Sequence, residues 1–138
     1  MGAWGPGSFQ NDDALDWVDS LAEYDDLSFI TSTLERAIDE DLVTYHHNYV
    51  ETENLDNVIA AAEVVAAIKG HPGADIPEEV NEWIQMYHPV VDENIMELTR
   101  LVVARALETQ ELGDLWVDLS TYEAWRNVIE NLQLRLQT

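Results

Sequence analysis

The chain of 138 residues contains no cysteine, and only six of its residues are lysine or arginine. A chain without cysteine has no disulfide, no thiolate metal ligand and no thiol nucleophile. Its apolar runs are all shorter than the roughly 18 residues that a membrane-spanning helix needs. The first residues also lack the basic and apolar segments of a secretory signal. These absences lead us to expect a cytoplasmic protein.

The scarcity of basic residues stands against 28 aspartates and glutamates, which give a formal net charge of -22. The imbalance is steepest before residue 69, where Arg36 is the single basic residue. Nucleic acids and anionic membranes are bound through lysines and arginines that displace counterions, so direct binding to either is disfavoured. A basic protein partner, a cation or a high-salt habitat suits this surface better.

Helical periodicity recurs along the chain, whereas the alternation of apolar and polar residues that is typical of strands is scarce. Apolar residues at helical spacing predict helices over residues 12–23, 27–40, 54–69, 77–87, 91–108 and from 120 onwards. The pattern therefore predicts one all-α domain over residues 1–138, with five or six helices.

Local signals refine some of these helices. Residues 54–69 are apolar nearly all round, which predicts a central helix that ends at Gly70. The order Ser120-Thr121-Tyr122-Glu123 has the form of a capping box and predicts the start of the last helix. Residues 41–52 are β-branched and aromatic, and they leave open an extended segment or a loose helical turn.

The opening stretch MGAWGPGSFQNDDALDW is rich in glycine and aromatic residues. It is not a dinucleotide loop, because the third glycine of G-x-G-x-x-G, a preceding strand and a nearby basic residue are all missing. We interpret it as a structural clasp that packs its aromatic rings under the first helix and caps that helix with an asparagine. The predicted clasp residues are Gly2, Trp4, Gly5, Gly7, Phe9 and Asn11.

The same opening resembles the start of domain-of-unknown-function family 4259, whose pattern is Gly-x-Trp-Gly-x-Gly-x-Phe-x-Asn-Asp followed by alanine and an Asp-aromatic pair. The matching positions are Gly2, Trp4, Gly5, Gly7, Phe9, Asn11, Asp12, Ala14, Asp16 and Trp17. The segments AAAEVVAA at 60–67 and ELGDLW at 111–116 are also similar to that family. The resemblance implies one domain over nearly the whole chain, and it implies no particular chemistry.

Four carboxylates in the first predicted helix are candidates for partner binding. Asp12, Asp16, Asp19 and Glu23 recur at spacings of four, three and four, which places them in one row along the helix. Such a row of fixed negative charges would imitate nucleic-acid phosphates towards a basic protein. The alternative is an ordinary solvated face on an acidic protein.

Other polar residues indicate little chemistry. The clusters IDEDL at 38–42 and PEEV at 77–80 lack the order of a calcium loop, so a cation site would need several helices. His46 and His47 are adjacent but lie outside any H-E-x-x-H motif. Four tryptophans with apolar neighbours, Trp17, Trp83, Trp116 and Trp125, are expected in the core. We assign no catalytic residue, metal ligand or cofactor.

The favoured function is that of a non-catalytic acidic interaction protein, which binds or inhibits a basic protein as immunity proteins and nucleic-acid mimics do. One alternative is a metal-assisted hydrolase that uses carboxylates with His46 and His47. Another is an acidic domain whose charge reflects a high-salt habitat and needs no partner. Association between copies of the chain is left open.

Overall fold

The computed structural model describes residues 7–10, 12–39, 52–112 and 119–137, and these residues form an all-α fold. Their helices are α1 (Asp12–Leu21), α2 (Ser28–Asp39), α3 (Thr52–Ile68), α4 (Glu78–Tyr87), α5 (Glu93–Leu112) and α6 (Leu119–Gln137). The predicted all-α class is confirmed, with six helices in the described part of the chain. Thr52 begins α3, and the rest of the segment left open in the sequence lies outside the described residues.

α3 lies at the centre of the fold and packs against each of the other five helices. Its middle is buried on all sides, and the buried residues there are Val58, Ile59, Ala60, Ala61, Ala62, Glu63, Val64, Val65 and Ala66. The alanines keep the helix narrow, so neighbouring helices approach its backbone closely. The prediction of a central helix from the apolar pattern is confirmed.

The end of α3 follows the predicted glycine cap. Gly70 has a φ of +95°, a conformation that glycine adopts without steric cost. The N–H of Gly70 donates to the carbonyl oxygen of Ala67 at 3.0 Å, and the N–H of His71 donates to that of Ala66 at 2.9 Å. This pair of hydrogen bonds satisfies the last carbonyls of the helix and turns the chain back towards α4.

The first helix is shorter than its sequence pattern predicts. α1 ends at Leu21, and Ala22, which helical spacing predicts on one face with Ala14, Val18 and Leu21, is exposed. Because the helix stops two residues before its predicted end, Ala22 does not project towards the core. Trp17 takes part in the buried face instead, beside Ala14 and Val18.

The last two helices also differ at their ends from the predicted bounds. α5 continues to Leu112, four residues beyond the predicted end. α6 begins at Leu119, so Ser120 is already helical and is not the residue before the first turn. The side chains of 119–122 lie outside the described part. Helical spacing predicts a buried stripe of Tyr122, Trp125, Ile129, Leu132 and Leu136 on this helix, and the last four are buried.

Candidate functional site

The four carboxylates predicted to bind a partner, called the acid row here (Asp12, Asp16, Asp19 and Glu23), are all exposed. The first three lie on α1. Glu23 follows in a turn, where its N–H donates to the carbonyl oxygen of Ser20 at 3.1 Å. The opposite face of α1 is buried against the core through Ala14, Trp17, Val18 and Leu21. The row is therefore presented to solvent by a helix that is itself anchored.

Trp17 supplies much of that anchorage. Its indole N–H donates to Thr33 Oγ1 at 2.9 Å, and its ring stacks on Phe29 with centroids 5.1 Å apart. Thr33 Oγ1 in turn donates to the carbonyl oxygen of Phe29 at 3.0 Å. α1 is thus fixed to α2 by ring stacking and a buried hydrogen bond, and the position of the acid row is fixed with it.

Arg36 and Asp16 line the same cleft, although they lie 20 residues apart in the chain. A cleft of about 270 Å³ between α1, α2 and α3 is lined by both side chains, together with Asp13, Ser20 and Asn57. The single basic residue of the first 68 therefore borders the same cleft as Asp13 and Asp16 of α1. The sequence held no signal for this approach, because it depends on how α1 and α2 pack.

A second carboxylate pair links α1 to α3. Asp13 and Asp56 are both half-buried, and their carboxyl groups are hydrogen-bonded to one another. Burial, followed by the charge and the hydrogen bond of Asp13, raises the pKa of Asp56 to about 7. The Asp56 carboxyl is therefore about half protonated at pH 7 and mostly protonated at pH 5. Its only sequence signal was a carboxylate inside the apolar segment that becomes α3.

This pair gives the stability of the protein a pH dependence. Aspartates of an unfolded chain titrate near pH 4, so between about pH 4 and 7 the folded state binds more protons than the unfolded state. The free energy of unfolding is therefore expected to fall as the pH rises through this window. Allowing for solvent screening of a half-exposed group, the fall is about 1–2 kcal/mol.

The Asp56→Asn variant is expected to remove that fall, because the amide keeps a hydrogen-bond partner for Asp13 without a titrating charge. Urea unfolding at pH 5 and pH 8 measures the difference. The variant should exceed the parent in stability at pH 8 and match it more closely at pH 5. Glu123→Gln, which neutralises an exposed carboxylate on α6, is the control. A gain from Asp56→Asn that is equal at the two pH values would contradict the raised pKa of Asp56.

The most deeply buried charge of the described residues is Glu63, at the middle of α3 and 1% exposed. Arg135 of α6 binds it in bidentate fashion, with Nη1 at 2.8 Å from Oε1 and Nη2 at 3.1 Å from Oε2. The same guanidinium donates to the carbonyl oxygen of His71 at 3.2 Å and, through Nε, to Asn131 Oδ1 at 2.7 Å. This centre joins the middle of the fold to its last helix and to the turn after α3.

The opening segment also reaches this centre. The hydroxyl of Ser8 donates to Glu63 Oε2 at 2.7 Å, and the N–H of Phe9 donates to Asp75 Oδ2 at 3.0 Å. Ser8 and Phe9 are buried. Because Glu63 accepts hydrogen bonds at both oxygens, it anchors the opening segment to the centre of the fold. Of the predicted clasp, Gly2, Trp4, Gly5 and Asn11 lie outside the described residues, and their role stays a prediction.

Two glycines allow the backbone to lie close to the carboxylates of Glu63 and Asp75. A Cβ at Gly73 would lie 2.9 Å from Glu63 Oε1, and a Cβ at Gly7 would lie 2.6 Å from Asp75 Oδ2. An open cavity of about 400 Å³ borders both glycines and the Glu63–Arg135 pair. The sequence pointed to Gly7, as part of the clasp, but it gave no reason for Gly73.

Three of the tryptophans expected in the core, Trp17, Trp83 and Trp125, are buried. Trp116 lies outside the described residues, and so do His46 and His47, the histidines of the hydrolase alternative. Within the described part of the chain there is no group of three or more histidines, aspartates and glutamates that could hold a metal ion. Within that same part, none of the helices is long and apolar enough to cross a membrane.

The family model for a domain of unknown function (DUF4259) matches residues 2–128, which is most of the chain. The family expected from the opening residues is thereby confirmed. Neither the curated proteins nor the solved structures include a match to this chain.

Proposed function

We propose that this chain, which belongs to the domain-of-unknown-function family DUF4259, is a non-catalytic protein that binds a basic protein through the acid row. One observation carries the proposal. All four carboxylates of the row are exposed, and the opposite face of α1, which carries three of them, is anchored in the core through Trp17. A partner would therefore meet charges in a fixed arrangement and pay little to order them.

Electrostatics supports a basic partner over other classes. With a net charge of -22, the protein repels nucleic acids and anionic membranes at long range and attracts cationic proteins. Fixed surface charges mainly accelerate the encounter of two proteins, and salt screens that attraction beyond a Debye length of about 10 Å at 0.1 M. Binding through the acid row is accordingly fast at low salt and weak at high salt. A cytoplasmic location stays a prediction.

The test compares three forms of the full chain as bait for proteins of the source cell at about 50 mM and 500 mM salt. The first is the parent, and the second carries Asp12→Asn, Asp16→Asn, Asp19→Asn and Glu23→Gln. The third is a matched control with Glu35→Gln, Glu78→Gln, Glu97→Gln and Glu123→Gln, four exposed positions on other helices. Both variants change the net charge equally, so they separate a local surface from overall charge.

We expect a basic protein that the parent and the control variant retain at low salt and that the row variant loses. With the isolated partner, the row variant should associate about tenfold more slowly at low salt, and the difference should vanish at high salt. Equal retention by parent and row variant would reject the proposal. If the charge instead reflects a high-salt habitat, the parent would gain stability steeply towards molar salt and retain no partner.

A further inference from the structure

Apolar side chains are exposed around the end of α4. The apolar patch, as we call it, consists of Tyr24, Met86, Tyr87 and Val90, which are 40%, 68%, 39% and 81% exposed. Tyr24 and Tyr87 flank the buried Trp83, whose indole N–H donates to the carbonyl oxygen of Tyr24 at 2.8 Å. The ring of Trp83 meets that of Tyr87 edge-on with centroids 5.9 Å apart. Clustered exposure of this kind marks interaction surfaces more often than isolated exposed residues do.

The apolar patch is continuous with the acid row. Tyr24 follows Glu23, the last carboxylate of the row, and its ring stacks on Phe29 with centroids 4.9 Å apart. Phe29 stacks in turn on Trp17, which anchors α1. A line of ring contacts therefore runs from beneath the acid row to the patch, so one partner can contact both surfaces at once.

The surroundings of the patch are acidic. Asp25 and Asp26 follow Tyr24, Glu82 precedes Met86 by one turn of α4, and Asp92 follows Val90 by two residues; all four are exposed. The chain contains no lysine or arginine between residues 70 and 99, and His88 is the basic side chain beside the patch. An apolar centre with a carboxylate rim complements a partner whose apolar residue is surrounded by lysines or arginines.

The backbone under the patch is held in one conformation. His88 ends α4 with a φ of +46°, and its N–H donates to the carbonyl oxygen of Ile84 at 2.9 Å. Trp83 is only 5% exposed and fixes the turn that carries Tyr24. Backbone that is held by such contacts needs little further ordering when a partner binds.

We infer that the apolar patch is the anchor site of the partner-binding surface, and that it receives an apolar or aromatic side chain from a basic segment of the partner. This inference rests on the proposed function and adds the chemistry of the partner to it. The acid row governs the association rate, which salt lowers by screening. The patch governs the dissociation rate, because its apolar contacts form only in the bound complex and are not screened by salt. A second copy of this chain is not the occupant, since two surfaces rimmed with carboxylates repel each other.

Two synthetic peptides with the same number of lysines serve as probes, one of lysine and serine and the other an amphipathic helix of lysine and leucine. Their binding rates to the full chain are measured by surface plasmon resonance at low and high salt. The test variant is Met86→Gln with Val90→Gln, two highly exposed positions that should leave folding intact. The matched control is Leu101→Gln with Leu134→Gln, which are 45% and 64% exposed on α5 and α6.

We expect the patch variant to release the lysine–leucine peptide about fivefold faster than the parent at both salt concentrations, and to bind the lysine–serine peptide as the parent does. Release of the lysine–leucine peptide at the same rate from the parent and the patch variant would overturn the inference. An effect of the Leu101 and Leu134 control as large as that of the patch variant would also overturn it. A change from dimer to monomer in the patch variant, measured by sedimentation velocity, would also overturn it.

The acid-row variant separates this result from the proposed function. If the row acts as proposed, that variant associates more slowly with both peptides, whatever the outcome at the patch. If only the row variant has an effect, the proposed function stands and the anchor site is rejected. If only the patch variant has an effect, the apolar anchor stands and the acid row is rejected as the binding surface.

Discussion

Replacing Arg135 by methionine is expected to lower the free energy of unfolding by about 3–5 kcal/mol, the range for removing one partner of a buried ion pair. Glu63 is 1% exposed in the centre of the fold, and in the variant its carboxylate has lost its cation. It also removes the donor to the carbonyl oxygen of His71. Urea unfolding monitored by circular dichroism at 222 nm measures the loss.

Two comparisons show whether the loss comes from the buried pair. Glu130→Gln breaks the half-exposed pair with Arg126 on the same helix and should cost less than about 1 kcal/mol. Glu63→Met combined with Arg135→Met should recover about half of the single loss or more, because no isolated charge is then buried. If Arg135→Met costs no more than Glu130→Gln, the pair does not hold the fold together.

The second large effect is expected for Trp17→Ala, which should destabilise the protein by about 3–5 kcal/mol, as large aromatic truncations in cores do. The ring is 4% exposed and lies between α1 and α2. Its removal leaves a cavity beside Phe29 and takes away the hydrogen bond to Thr33 Oγ1. Denaturant unfolding measures the loss, and the change in tryptophan fluorescence on unfolding should shrink.

A graded series tests the two contributions of Trp17. Trp17→Phe keeps a ring to stack on Phe29 and should cost about 1–2 kcal/mol. Thr33→Val keeps the indole and leaves its N–H without an acceptor, at a cost of about 1–3 kcal/mol. A loss from Trp17→Ala no larger than that from Trp17→Phe would show that the ring does not anchor α1. Since the acid row depends on this anchor, Trp17→Ala should also weaken capture of a basic partner.

Much of the fold followed from spacing along the chain. Apolar residues at helical intervals predicted the helices, and the nearly uninterrupted apolar segment 54–69 predicted that α3 would lie at the centre. Gly70 marked the end of that helix correctly, because few other residues adopt its φ of +95° without strain. The helix ends were predicted less accurately, as Ala22 and Ser120 illustrate, because the capping signals of neighbouring residues compete with one another.

The composition and the order of the residues were enough to determine an acidic, cysteine-free, all-α domain of its family, with carboxylates in register along the first helix. Only the tertiary structure decided that Glu63 meets Arg135 across 72 residues and that the carboxyl of Asp56 is hydrogen-bonded to that of Asp13. It also decided that Tyr24 and Tyr87 flank the same tryptophan. Helical periodicity reports which residues share a face, whereas the pairing of faces is set by packing between helices that are distant in the chain.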